Sequence, residues 1–394
     1  TNEWTGNAFF EGTNDGLRGD SLTAKDGSVS TFSTPSYDEE YYGFSVGGPL
    51  IEDKLFIFGA YEETESPEFI AQGFAGSSNG EERDWLDQAT FDRVSSIANS
   101  LYNYDPGGQA SDGTQATESY ILRLDYNINE NHTAALIYNY YDGLEDRASD
   151  SDSNEFEFAN HFYRKGAELE TWTAKLQSQW TDAFSTEIFV NTNEMVDSQV
   201  TVGPADFGDH QISVGSNVIY LGADDSRQAN QLNWESSFYK FTGEYLVGDH
   251  IITAGFERDE LDVFNQFVQH SNGGEWDYFD DSGSNPASCA ALTAQGRFDD
   301  PNCGLSGIDK FELGRPSRIY YGSGGGTNDP GDASARFNVN TNMFYLQDEW
   351  YIPQYNLTLV GGLRYEQMDM SDRPNFNQAF TDLNGGLRND ANLD

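Results

Sequence analysis

Three oxygen-bearing side chains at alternating positions raise the first question of chemistry. In DSDSNEFE, Asp150, Asp152 and Asn154 occupy the first, third and fifth places of a calcium-loop pattern. Hard oxygen donors spaced this way around a tight loop are what Ca2+ requires. The sixth place should hold glycine and the twelfth a glutamate, but Glu155 and His161 stand there. The pattern gives an incomplete Ca2+ candidate, set against an ordinary solvated loop. Asp277, Asp280 and Asp281 in WDYFDDSGS, and Asp299 and Asp300 in FDDPNCG, read as solvation rather than ligation.

Cys289 and Cys303 lie close together in the polar segment SCAALTAQGRFDDPNCG. Such a pair reads as a disulfide closing a loop, hence an oxidising compartment. No histidine or further cysteine lies near enough to favour a metal site. The five histidines, His132, His161, His210, His250 and His270, are scattered, and no HExxH, GxSxG or Walker pattern occurs. No catalytic role is expected. The glycine-rich YYGSGGGTNDPGD lacks the strand-to-helix setting of a phosphate cradle and reads as a loop tip. Trp276, Tyr278, Phe279, Tyr320 and Tyr321 could stack on a ligand, whose identity the sequence leaves unknown.

Composition narrows the classes. The 66 acidic and 21 basic residues leave a formal charge of −45, which excludes nucleic acid, because phosphate binding needs clustered Lys and Arg. The charge reads as a hydrated surface, with cation-binding or base-binding loops as the alternative. Acidic chains poor in aromatics stay disordered, but here aromatics make up 14% of the residues, so this chain buries something. No window of eighteen apolar residues offers a transmembrane helix, and TNEWTGNAFF has no signal-peptide character. Neither absence counts against a membrane protein that crosses with strands.

Period-two alternation recurs from end to end. ESYILRLDYNI puts Tyr120, Leu122, Leu124 and Tyr126 on one face and Arg123 and Asp125 on the other, and HTAALIYNYY groups Leu136, Tyr138 and Tyr140. Further hairpins join ETWTAKLQSQW to STEIFVNTNEMV, SSFYKFTGEYLV to HIITAGFERDEL, NMFYLQDEWYI to LTLVGGLRYEQM, and EYYGFSVGG to KLFIFGAYEE. With EWTGNAFFEG this makes roughly eleven strands. The other connections, about 13 to 40, 65 to 117, 144 to 166, 203 to 229 and 269 to 335, are long and polar. One carries a helix in EERDWLDQATFDRVSSIANSLYNYDPGG, where Val94, Ile97, Ala98 and Leu101 have helical spacing; it is expected to pack over a rim.

Short turns alternating with long loops are the signature of an up-and-down outer-membrane β-barrel. Trp172 and Trp180 then share a face, about 26 Å apart along the strand at roughly 3.3 Å per residue. They read as the two aromatic girdles of a membrane band, with Tyr120, Tyr126, Tyr138, Tyr140 and Tyr245. The other face reads as lumenal: Arg123, Asp125, Lys175, Gln177, Glu257, Arg364 and Glu366. A soluble β-sandwich is the competing architecture, but its turns should not alternate so strictly in length.

The strings TNEWTGNAFFEG, FSVGGPLIEDKLFIFGAYE, LRLDYNINENHTAALIYNY, YLQDEW and LTLVGGLRYE together resemble the barrel of TonB-dependent outer-membrane receptors. The helix followed by YNYDPGG is most similar to the Oar-like branch. The resemblance implies an all-β, antiparallel transmembrane barrel of 22 strands, with a plug filling its lumen. It also implies import of scarce ligands with energy relayed by TonB. Residues 1–394 would supply about half the barrel, with the plug and the C-terminal strands absent from this chain. The expected partners are outer-membrane lipid, the TonB complex and a small-molecule or peptide ligand, with the loops facing outside the cell. A barrel-anchored adhesion or assembly protein and a passive porin are the alternative functions.

Overall fold

Eleven strands with period-two alternation pair in strict chain order into one antiparallel meander. In this computed structural model, residues 2–31, 36–204, 206–283 and 304–390 are described. The strands are β1 (Thr5–Asn14), β2 (Asp38–Ile51), β3 (Leu55–Glu68), β4 (Gly113–Asn129), β5 (His132–Arg147), β6 (Tyr163–Thr181), β7 (Phe184–Thr201), β8 (Asn230–Val247), β9 (His250–Phe267), β10 (Ala335–Ile352) and β11 (Leu357–Asp369). The sheet does not close on itself: β1 and β11 are its two edges.

Tight turns join the strands at one end. Gly248 takes φ +62° in the two-residue turn between β8 and β9, a left-handed conformation that glycine adopts without a Cβ penalty. The connections at the other end run over 15–37, 69–112, 148–162, 202–229 and 268–334.

The connections read as long and polar also hold regular structure of their own. Short strands from three of these connections, Glu155–Glu157, Asn217–Leu221, Asp209–Val214, Glu275–Tyr278 and Arg318–Tyr320, pair in that order into a second, five-stranded sheet. Helix α1 (Gln88–Tyr102) and helix α2 (Gly307–Glu312) join it. Leu86, Phe91, Val94, Ile97, Phe156, Phe158, Ile212, Ile219, Leu221, Tyr278 and Phe311 bury together there. The hydrophobic core of the described residues is therefore a cap built from four connections, and not the interior of the large sheet.

Local signals explain α1. Asp87 caps its N-terminus by accepting the Thr90 N–H at 2.8 Å, and Asn103 ends it at φ +53°. Its buried face carries Phe91, Val94, Ile97 and Ala98. Leu101, expected on that face, is 59% exposed.

Candidate functional site

Antiparallel partners place their side chains on the same face of a sheet. Asp125 lies opposite Ala135, Ala135 opposite Lys175, Lys175 opposite Phe189, Phe189 opposite Lys240, Lys240 opposite Glu257, Glu257 opposite Met343 and Met343 opposite Glu366. The neighbouring row holds Gln177, Glu187, Thr242, Gly255, Tyr345 and Arg364. The polar residues read from the sequence thus share one wall. On it, Glu187 receives Lys175 at 3.0 Å and Lys240 at 3.1 Å, and Arg364 reaches Glu257 at 3.1 Å and Glu366 at 2.6 Å. Arg123 forks onto Asp125 with two bonds of 2.7 Å.

The opposite face is apolar and exposed, with Phe44, Leu122, Leu136, Trp172, Ile188, Phe241, Phe344 and Leu346 uncovered. Tyr138 meets Trp172 at 4.5 Å, and Tyr120 stacks on Tyr140 at 4.7 Å. Trp180 sits at a β-bulge, donates its indole N–H to Thr186 at 2.9 Å, and contacts the His132 ring at 4.9 Å. Tyr126 and Tyr245 are exposed here too.

Towards the cap this face turns acidic. Glu63 lies opposite Glu118, Glu118 opposite Asp142 and Asp142 opposite Glu168; beside them, Glu170, Glu194, Glu235 and Asp262 are likewise opposed strand to strand. Girdle hydroxyls reach up to this collar: Tyr61 and Tyr42 donate to Glu63, and Tyr140 to Glu168 at 3.2 Å. Sequence reading missed the collar, although Glu63, Glu118, Asp142, Glu170 and Asp262 each sit one pleat from an aromatic residue.

Inside the cap, His161 is fully buried. Its Nδ1 lies 3.0 Å from the Gly222 carbonyl and its Nε2 3.2 Å from Asp150 Oδ2 and 4.0 Å from Asp224 Oδ2. Asp209 Oδ1 faces the ring at 3.9 Å from Nδ1. Glu157 accepts the N–H groups of Ser149 and Asp150 at 3.2 and 2.6 Å. Burial works against a charged ring, but the Asp150 hydrogen bond and the charges of Asp209, Glu157 and Asp224 hold it up to about 10. One imidazolium cannot balance four carboxylates. Burial pushes Glu157 up to about 7 and raises Asp209 and Asp224, in each case against the pull of His161.

A second cluster lies beside it in sequence. His270 Nε2 is 2.7 Å from both Asp225 Oδ2 and Glu275 Oε2. Burial, with Asp277 and Asp225 close by, pushes Glu275 up to about 7.

Of the calcium-pattern residues, the structure brings only Asp150 to a cluster. Asp152 donates its N–H to Glu155, and Asn154 gives its carbonyl to the Val218 N–H. Three of the acidic residues taken for solvation are structural: Asp277 is buried and holds Arg318 at 2.5 Å, Asp280 accepts the Gly215 N–H at 2.8 Å, and Asp281 receives buried Lys310 at 2.5 Å. Tyr278 is buried in the cap core and Trp276 stacks on His210, whereas Tyr320 and Tyr321 stay exposed. Cys289, Cys303, Asp299 and Asp300 lie outside the described residues.

The family model described as outer membrane beta barrel domain matches residues 1–72 and 88–390. No curated protein sequence matches the chain. Among solved structures it is similar to the outer membrane transporter YddB from Escherichia coli, at 11% identity and TM-score 0.49, over 93% of this chain and 39% of that one. It is similar to the siderophore receptor PirA from Acinetobacter baumannii at 10% identity and TM-score 0.46, over 94% and 39%. The ferric enterobactin receptor PfeA from Pseudomonas aeruginosa gives 12% identity and TM-score 0.43, over 94% and 40%. The chain spans about two fifths of the length of these structures. Because the family match runs over nearly all 394 residues, the chain belongs to the outer membrane beta barrel domain family, and its place is the bacterial outer membrane.

Proposed function

We propose that this chain is part of a TonB-dependent outer-membrane receptor of the Oar-like branch, which captures a ligand at its cap and imports it with energy relayed by TonB. The observation that carries the proposal is the cap. Four connections at one end of the sheet spend their apolar residues on a shared core, which gives the receptor a shaped surface where a pore needs only short loops. In this reading the face of Trp172 and Trp180 meets lipid, with Tyr120, Tyr126, Tyr138, Tyr140 and Tyr245 among its girdle aromatics. The wall of Arg123, Lys175, Glu257 and Arg364 lines the path inward, and its paired charges offer a hydrated surface without a strong net field. The strings shared with the receptor barrels support the same reading.

The test is ligand accumulation by cells that carry the intact receptor. The bound compound is first identified by mass spectrometry of the purified protein, then followed with and without TonB. Accumulation that stops when TonB is removed supports the proposal. Accumulation that continues unchanged points to a passive pore. Because the cap is a folded unit, an adhesive role is the second reading, and loss of cell–cell contact without loss of uptake would favour it.

A further inference from the structure

From the cap cluster we infer a binding site for one first-row divalent transition cation, of the Zn2+, Mn2+ or Co2+ kind, held by Asp150, His161 and Asp224. This goes beyond the transport reading and holds or fails independently of it.

The three ligand atoms already lie within 4.8 Å of one another. His161 Nε2 stands 3.2 Å from Asp150 Oδ2 and 4.0 Å from Asp224 Oδ2. Ligands bound at roughly 2.0–2.2 Å in a tetrahedral site sit about 3.3 Å apart, so a small carboxylate rotation completes the geometry. The ring is oriented for the task. Nδ1 lies 3.0 Å from the Gly222 carbonyl, and donating its proton there aims Nε2 at the two carboxylates, where a metal ion can displace its proton. A cation bound there would take the place of the Nε2 proton that Asp150 accepts.

An independent observation points the same way. Asp224 Oδ1 is buried without a hydrogen-bond partner, on a residue 4% exposed. The Arg227 Nε beside Asp224 Oδ1 is 3.6 Å away, beyond hydrogen-bond reach. A buried carboxylate short of donors is costly, and a metal ion held by Asp224 offsets that cost. Donor chemistry sets the class. One imidazole with carboxylates suits borderline first-row cations, whereas Ca2+ takes six to eight oxygens. Asp150 and His161 come from the connection after β5 and Asp224 from the connection after β7, so the ion would join two of the cap's connections.

The test titrates the full chain, folded in detergent, with Zn2+ against a chromophoric chelator. One tight equivalent is expected, weakened at least tenfold in Asp224→Asn and retained in His270→Asn, which alters the other cluster. Because Asp224→Asn could unfold the cap, the wild type is also loaded with Co2+ and its ligands read by X-ray absorption. One imidazole nitrogen with carboxylate oxygens is expected. The proposal is overturned by an absence of stoichiometric Zn2+, by unchanged affinity in folded Asp224→Asn, by a nitrogen-free Co2+ shell, or by Ca2+ binding in preference to Zn2+. The last result would favour the oxygen-only pattern of Asp150, Asp152 and Asn154.

Discussion

His210 shows what the cap does to a single side chain. Its ring stacks on Phe207 at 4.2 Å and lies parallel to Trp276 and Tyr278 at 5.9 Å, with Phe311 and Tyr102 edge-on. Among the described residues its hydrogen-bond contact is the Gly208 carbonyl, 3.4 Å from Nδ1, and the titratable groups facing it are the phenols of Tyr102 and Tyr278. Burial pushes the imidazole down to about 4. The unfolded chain then takes up a proton near pH 6.5 that the folded cap refuses until about pH 4. Above pH 6.5 both states are neutral and the residue adds no pH dependence. As the pH falls from 6.5 towards 4 the cap loses stability, by roughly 1.4 kcal/mol per unit and about 3 kcal/mol in all. His210→Phe keeps an aromatic ring in the stack and removes the proton. Denaturant unfolding of the cap, followed by tryptophan fluorescence, should show the wild type falling relative to this variant over that window, and parallel curves would refute the assignment.

Helix α1 makes the comparable test for an element. Ile97 is 5% exposed in the cap core, while Leu101, one turn on, is 59% exposed. Ile97→Ala should destabilise the cap by about 2–5 kcal/mol through lost burial and a cavity. Leu101→Ala should stay within about 0.5 kcal/mol. Equal losses by denaturant unfolding would mean that Leu101 is buried as Ile97 is, and that the apolar stripe reaches the last turn of the helix. The helix was legible from Val94, Ile97 and Ala98, and the long strands were legible because seven or more alternating residues leave little doubt about period. Leu101 misled because spacing gives a stripe but not its edges, and Phe91 completes the buried face instead. The second sheet was not legible. Its strands are three to six residues long, too short for a period, and partners such as Phe156 and Ile219 come from connections separated by a whole hairpin. The polar wall could be read because one strand's alternation reveals a face. The Asp150, His161 and Asp224 cluster could not, since only the folded cap brings Asp224 to the other two; Asp150 and His161, at the first and twelfth places of the calcium pattern, were its only traces.

At the scale of the molecule, the charge of −45 is not spread evenly. Part of it is drawn into the collar, where Glu63, Glu118, Asp142 and Glu168 oppose one another across three strand pairs, and Glu170, Glu194, Glu235 and Asp262 do so across three more. Directly opposed like charges destabilise a sheet. Tyrosine donors from the girdle relieve Glu63 and Glu168, but Glu118 and Asp142 sit mid-row between other carboxylates. Solvent cations must supply the rest of the compensation, and a divalent ion shared between adjacent carboxylates does so with less entropy lost than two monovalent ones. Thermal unfolding in low-salt detergent should therefore shift upward with millimolar Mg2+, and NaCl should reproduce part of the gain by screening over about 10 Å at 0.1 M. Glu118→Gln removes two opposed pairs at once, so its Tm without Mg2+ should exceed the wild type's by a few degrees, and its gain on adding Mg2+ should shrink. An identical Tm and an undiminished Mg2+ response in that variant would show that the collar is already balanced within the fold, and that the sheet carries its acidic ring without help from the solution around it.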